Sequence, residues 1–307
     1  MGHRGSGLIG ATAIKLLRPF KRAFARVHRR LVLNEAERVA TAGALSPTLK
    51  TLRKLSMPDF AALLYAMPLP RYPNLSRVLP RMASKEVQIS WTGNHGHEML
   101  VQTIAFVQLL TDGYSRFTGR DIAAARILDF GCGYGRLMRM LAYYADTSLI
   151  YGCDPWQDAL DLCISDRVPG HLALSERVPQ ALPFAGRFDL ICAYSVFTHL
   201  SERVTTRCFE TLTDALAPGG LLVVTVRPIG YWSKVSHAQR EEKIRDHQAR
   251  GFAFAPHGWP PIDDDIPYGD TSLTPQWIER NIPRLRVADV IPLAADPNQV
   301  CVFLTAR

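Results

Sequence analysis

Apolar positions recur in two ways along this chain. From 97 to 118, Met99, Leu100, Ile104, Val107 and Leu110 fall on one side of a 3.6-residue repeat, with Phe106 and Leu109 beside them, which predicts a long helix. Short, nearly unbroken apolar runs predict buried strands at 127–130, 148–154 and 221–226, with a turn and a further strand over 182–193 and a weaker strand at 171–175. Helical spacing lies between them: Leu137, Met138, Met140, Leu141 and Tyr144 after the first run, 202–216 behind a Ser201 N-cap, a charged helix at 237–250 and a short one from Thr274-Pro275 to 281. Two closing antiparallel strands are predicted at 285–292 and 299–305. Ahead of this, 34–64 reads as helices. Pro68, Pro70, Pro73 and Pro80 make 65–82 irregular, and 86–97 reads as a short extended piece with a glycine turn.

The turn after the first strand changes the picture most. Gly131, Gly133 and Gly135, with Cys132 among them, sit between a strand and a helix, so a ligand there meets bare backbone that accepts unusual φ and ψ. The third glycine comes four residues after the first and Arg136 follows, which departs from the five-residue span of a dinucleotide fingerprint and argues against NAD. Asp129, two residues before the first glycine, is placed to accept a hydrogen bond from an ammonium group. Asp154 ends the second strand 19 residues after Gly135, where a carboxylate can take both hydroxyls of a ribose or cap the helix that Pro155 opens.

The sequence D-x-G-x-G-x-G, with the second-strand acid, L-P-F…F-D-L-I at 182–191 and L-x-P-G-G-x-L at 216–222, resembles the class I S-adenosylmethionine-dependent methyltransferases. The resemblance covers most of 121–307. It implies an α/β, Rossmann-like seven-stranded sheet with helices on both faces, S-adenosyl-L-methionine as cofactor, and a pre-core helix over the cofactor's methionine end, where Thr92 and Gly93, with Trp91, are candidates to line the pocket. Trp91 reads equally as core. Trp156 is a candidate for the adenine face or for packing. Leu174 and Ser175 end the third strand, where the family frames the adenine; the family's acid is missing there and Glu176 comes one position late. Tyr194, Ser195 and His199 follow the fourth strand, in the loop that faces the transferred methyl. His199 is the candidate base for a hydroxyl acceptor, or a structural histidine at the strand end.

Residues 228–272 break the core pattern. This insertion carries Tyr231 and an aromatic, glycine- and acid-rich run with His257, Trp259, Asp263, Asp264, Asp265, Tyr268 and Asp270. It reads as a substrate cover that stacks on a sugar and bonds its hydroxyls, or as a solvated loop.

Composition adds limits. Charged content is 21% and hydrophobic content 47%, ordinary for a globular chain. The six cysteines form no C-x-x-C pair, which points to buried thiols in a reducing compartment, and no dedicated metal site is legible. The net charge of +8 is carried by residues 1–33, which hold Arg4, Lys15, Arg18, Lys21, Arg22, Arg26, Arg29 and Arg30 and no acid. The remainder is neutral, which argues against nucleic acid as partner. Residues 8–33 intersperse apolar and basic positions, the pattern of a peripheral membrane or partner contact; a homo-oligomer is the other expectation.

The expected organisation is a basic N-terminal segment at 1–33, a helical extension and pocket cover at 34–120, and a core at 121–307 with the 228–272 insertion. The expected function is O-methylation of a hydroxyl on a sugar or surface polysaccharide, in the cytoplasm or at the inner face of its membrane. Two alternatives stand: a methyltransferase for a small aromatic or lipid-like metabolite, and an inactive cofactor-binding scaffold subunit at a membrane.

Overall fold

The structure, a computed structural model, describes residues 25–307. Most of the basic N-terminal segment therefore lies outside the described residues. The chain divides into two compact units, Met1–Leu79 and Pro80–Arg307.

The first unit is helical, as the sequence predicts for 34–64. Helix α1 spans 25–39, α2 Leu45–Leu52, α3 Met57–Tyr65 and α4 Pro73–Val78. Ser56 caps α3 by accepting the Asp59 N–H, with a proline in the first turn. The Glu37 carboxylate reaches from α1 to accept the N–H groups of Asn74 and Leu75 at the start of α4 (2.8 and 2.9 Å), so the proline-rich stretch ends in a capped helix.

The second unit opens with α5, Lys85–Thr92, and α6, Gly96–Thr118. The extended reading of 86–97 is thus corrected: Ser84 accepts the Val87 N–H, Glu86 sits in the first turn, and Gly93 closes the helix at φ +70°. These caps outweigh the β-branched Val87 and Ile89.

Seven strands follow: β1 Ile127–Phe130, β2 Ile150–Asp154, β3 His171–Leu174, β4 Phe188–Ala193, β5 Leu216–Val226, β8 Leu285–Pro292 and β9 Val300–Ala306. They pair in the order β3-β2-β1-β4-β5-β9-β8, parallel except for β9, which runs antiparallel to β5 and β8. Helices α7 (Arg136–Leu141), α8 (Gln157–Ser165) and α9 (Glu202–Ala215) connect the parallel strands. Strand order reverses between β1 and β4, and an open α/β sheet takes its ligand in the crevice at the carboxyl ends there.

Two details differ from expectation. All six residues of α7 are buried, so its polar members need partners: Arg139 donates to the Arg81 carbonyl (2.9 Å) and the Tyr134 carbonyl and pairs with Asp166 (3.4 Å). Strand β5 begins at Leu216, so the Pro-Gly-Gly turn is an irregularity inside a strand, with Gly219 at φ +67° and a register shift against β4.

The insertion is structured. Helix α10 spans His237–Arg250, and β6 (Phe252–Pro256) and β7 (Gly269–Leu273) pair antiparallel as a separate two-stranded sheet before α11, Pro275–Asn281. Phe252, Leu273 and Trp277 join the sheet's apolar core, where each fully buried large side chain contributes about 1.5–3 kcal/mol. The hairpin is therefore anchored at its base.

Candidate functional site

The glycine turn lies at the crevice. Gly131, Gly133 and Gly135 all hold positive φ (73°, 52° and 73°), which favours glycine. A side chain at Gly131 would strike Val196 in the loop after β4, and one at Gly135 would strike Val168. At Gly133 nothing lies within 4 Å of that direction, so this backbone faces open space.

Two carboxylates flank the turn. Asp129 on β1 is buried, and its Oδ2 has no hydrogen-bond partner; Oδ1 receives only a long contact from Cys192 Sγ (3.9 Å). Burial raises its pKa to about 7, against the pull of the Arg136 charge. Asp154 holds the turn from the other side: Oδ2 accepts the Gly133 N–H (2.9 Å) and Oδ1 the Trp156 N–H (3.0 Å). Trp156, rather than Asp154, occupies the N-cap position of α8. A carboxylate offers about four lone-pair sites, so each oxygen keeps room for one further donor.

Beside Asp154 two apolar side chains stand half-exposed, Trp156 (48%) and Leu174 (51%). The Ser175 N–H donates to the Asp154 carbonyl (3.1 Å), fixing the end of β3 against β2. Trp91 from α5 lies 4.4 Å from the Trp156 ring and 6.0 Å from Tyr134. Thr92 Oγ1 donates to the Gln88 carbonyl (2.6 Å), and Gly93 ends the helix, so these two set the position of Trp91. Cys132 is buried and bonds the Gly133 carbonyl weakly (3.8 Å).

After β4, Tyr194 and Ser195 enter a polar network. Tyr194 Oη donates to Asp296 Oδ2 (2.9 Å), and Gln102 Nε2 from α6 donates to the same oxygen (3.1 Å). Ser195 holds φ +60°, a strained value for serine. It is held by Thr225 Oγ1, which accepts its N–H (2.7 Å), and by Gln299 Nε2, which donates to its Oγ (2.6 Å). Gln102, Thr225, Asp296 and Gln299 were not nominated from the sequence. They come from α6, β5 and the loop between β8 and β9, and no local pattern marks them.

A second cluster forms where the loop after β4 meets the hairpin. His199 Nδ1 donates to the Gly269 carbonyl (2.9 Å), which leaves Nε2 as the acceptor, 3.3 Å from Arg227 Nη2. Burial and the Arg227 charge push the His199 pKa down to about 4, so the ring is neutral at physiological pH. Arg227 Nη1 pairs with Asp270 Oδ1 (2.6 Å), and His257 Nε2 lies 3.2 Å from Asp270 Oδ2. Tyr268 stacks on His199 at 5.0 Å with planes 8° apart, and Trp259 lies 5.3 Å from Tyr268. Tyr231 lies under Arg227 at 4.0 Å. The structure thus gathers His199, Tyr231, His257, Trp259 and Tyr268 with Arg227 and Asp270, and Asp154 is near enough to raise the Tyr268 pKa. Arg227, just past β5, was missed because it reads as a lone surface arginine.

All six cysteines are buried free thiols. Among the described residues no group of three or more His, Cys, Asp or Glu is arranged to hold a metal ion.

The features fit a sulfonium nucleoside with an amino acid tail: an orphaned buried carboxylate oxygen for an ammonium, bare backbone facing open space at Gly133, a strand-end acid with spare lone pairs for a diol, and two half-exposed apolar side chains for a flat base.

Residues 127–220 match the family model described as a methyltransferase domain. No curated protein matches the chain. Among solved structures, the PH0226 protein from Pyrococcus horikoshii is 12% identical, with 73% of this chain and 100% of that chain covered at a TM-score of 0.50, which supports the fold. The glycopeptide N-methyltransferase MtfA complexed with sinefungin is 14% identical over 64% of this chain and 94% of that one, TM-score 0.45. An S-adenosylmethionine-dependent methyltransferase from Clostridium acetobutylicum is 12% identical over 72% and 96%, TM-score 0.46.

Proposed function

We propose that residues 127–220, which match a methyltransferase domain, form a class I domain that uses S-adenosylmethionine, and that the chain methylates a hydroxyl of a sugar or polysaccharide. The observation that carries the acceptor class is the second cluster. It sets the exposed Trp259 and the Tyr268 ring beside the Asp270 carboxylate and His257 imidazole. A ring with an apolar face and a hydroxylated edge needs that combination of stacking surface and hydrogen-bond partners.

S-adenosylmethionine supplies a methyl on a sulfonium with a neutral thioether as leaving group. The protein's part is placement and handling of one proton. Asp129 takes the ammonium, Asp154 the ribose hydroxyls, and Trp156 and Leu174 border the base. The acceptor hydroxyl forms its new O–C bond as the C–S bond breaks, and its proton passes to His199 Nε2. The Gly269 carbonyl fixes the tautomer this requires. A pKa near 4 makes His199 a weak base, but methylation turns the attacking hydroxyl strongly acidic, so the transfer is downhill once the new bond has formed. The hydroxyl must first displace Arg227 from Nε2.

The test is turnover to S-adenosylhomocysteine with a panel of nucleotide sugars, polysaccharides, small phenols and lipid-like acceptors. Turnover with glycans supports the reading. Turnover confined to phenols or lipid-like acceptors overturns the acceptor class, and cofactor binding without turnover on any acceptor supports a scaffold subunit. His199→Ala is expected to keep cofactor affinity and lower kcat by about 10²- to 10⁴-fold; an unchanged kcat removes the base role.

The N-terminal segment fits an anionic lipid surface. Val27 (59%) and Leu31 (63%) are exposed one turn apart on α1, among Arg26, Arg29 and Arg30. Among the described residues no helix is long and apolar enough to cross a membrane. Equal sedimentation of the full chain and of residues 34–307 with anionic vesicles would remove this contact.

A further inference from the structure

Arg136 follows the third glycine and begins α7. It is only 7% exposed, yet no carboxylate oxygen of the described residues lies within 4.0 Å of its side chain. Its Nη1 donates to Gln102 Oε1 (2.8 Å), and its guanidinium lies 4.8 Å over the Tyr194 ring. The other deeply placed arginines of this unit are paired: Arg139 with Asp166 at 3.4 Å and Arg227 with Asp270 at 2.6 Å. Removing a cation from water without a counter-ion costs several kcal/mol, so a buried arginine without an acid calls for an anion from elsewhere. A guanidinium takes a carboxylate through two parallel N–H donors, and the bond of Nη1 to Gln102 leaves further N–H donors for that.

The location defines the anion. Arg136 and the unpartnered Oδ2 of Asp129 flank the same glycine turn, and the Arg136 charge is close enough to act on Asp129. One cation and one anion on either side of bare backbone match an α-amino acid end with its charges reversed. We propose that Arg136, held in place by Gln102, grips the carboxylate of the cofactor's amino acid end. This rests on the S-adenosylmethionine reading above.

Calorimetry on the full chain without acceptor tests it, with S-adenosylhomocysteine and its decarboxylated counterpart, the 3-aminopropyl thioether of adenosine. The wild type is expected to bind S-adenosylhomocysteine about 10- to 100-fold more tightly than the decarboxylated compound. Arg136→Gln is expected to lose that preference while keeping its affinity for the decarboxylated compound, and Arg136→Lys to recover part of it. The ligand comparison on the wild type stands even where a variant folds poorly. Equal wild-type affinity for both compounds, or a loss in Arg136→Gln equal for both, overturns the assignment. A wild type that binds neither overturns the cofactor reading itself, a distinct outcome.

Discussion

Asp129 shows how one residue can be costly to the fold and useful to the site. A carboxylate raised to about 7 by burial, with an oxygen that nothing satisfies, weakens the folded state progressively as the pH rises from the ordinary 3.8, where the unfolded chain ionises, to about 7, above which the cost is constant. A bound ammonium supplies the missing partner. Below pH 7 the group must first lose its proton, so cofactor affinity is expected to fall by up to about tenfold per pH unit from pH 7 to 5.5, and Asp129→Asn to flatten that slope. Calorimetry across that range checks it; a wild-type affinity independent of pH contradicts it. His199 works in the opposite sense. Its pKa is about 4 in the folded chain against 6.5 for an ordinary histidine, so between these values the unfolded state binds more protons and stability rises with pH. The His199→Asn variant is expected to lose part of that slope in melting temperature between pH 4.5 and 6.5, and an identical slope contradicts the buried neutral ring.

At the scale of elements, the local signals were strong wherever one segment carried them. The strand-turn-helix at 127–141 and the acid that ends β2 were legible because glycine freedom and strand-end carboxylates act over a few residues. Helix α5 was misread because Val87, Ile89 and Trp91 favour strands one at a time, whereas its capping by Ser84 and Gly93 decides the outcome. The β6–β7 hairpin lies in a run rich in glycine, proline and acid, and its pairing of Phe252 with Leu273 closes that run at its two ends. Two expectations belong here. Trp259→Ala, at the exposed tip, raises the acceptor KM several-fold and leaves cofactor affinity unchanged; steady-state kinetics with calorimetry checks this, and an unchanged KM removes the cover role. Gly113 on α6 packs so closely on Phe303 of β9 that an added methyl overlaps the ring. Gly113→Ala therefore costs about 1–3 kcal/mol in overpacking, more than the 0.5–1 kcal/mol or so that alanine gains in a helix; a raised melting temperature contradicts the close approach.

At the scale of the whole molecule, what the sequence hid is what distance in the chain hides. Arg227 meets Asp270 across 43 residues, and Tyr194 meets Asp296 across 102. Neither Arg227 nor Asp296 carries a local mark; only the return of the chain to the carboxyl edge of the sheet makes these pairs neighbours. Every residue placed in the cofactor pocket lies in the unit Pro80–Arg307. A crystal structure determined with S-adenosylhomocysteine tests that pocket most directly. Its amino acid end is expected over the backbone of Gly131–Gly135 between Asp129 and Arg136, its ribose hydroxyls on Asp154, and its adenine beside Trp156 and Leu174. Ligand bound elsewhere on the chain, or no ligand in the crevice at saturating concentration, would contradict this placement.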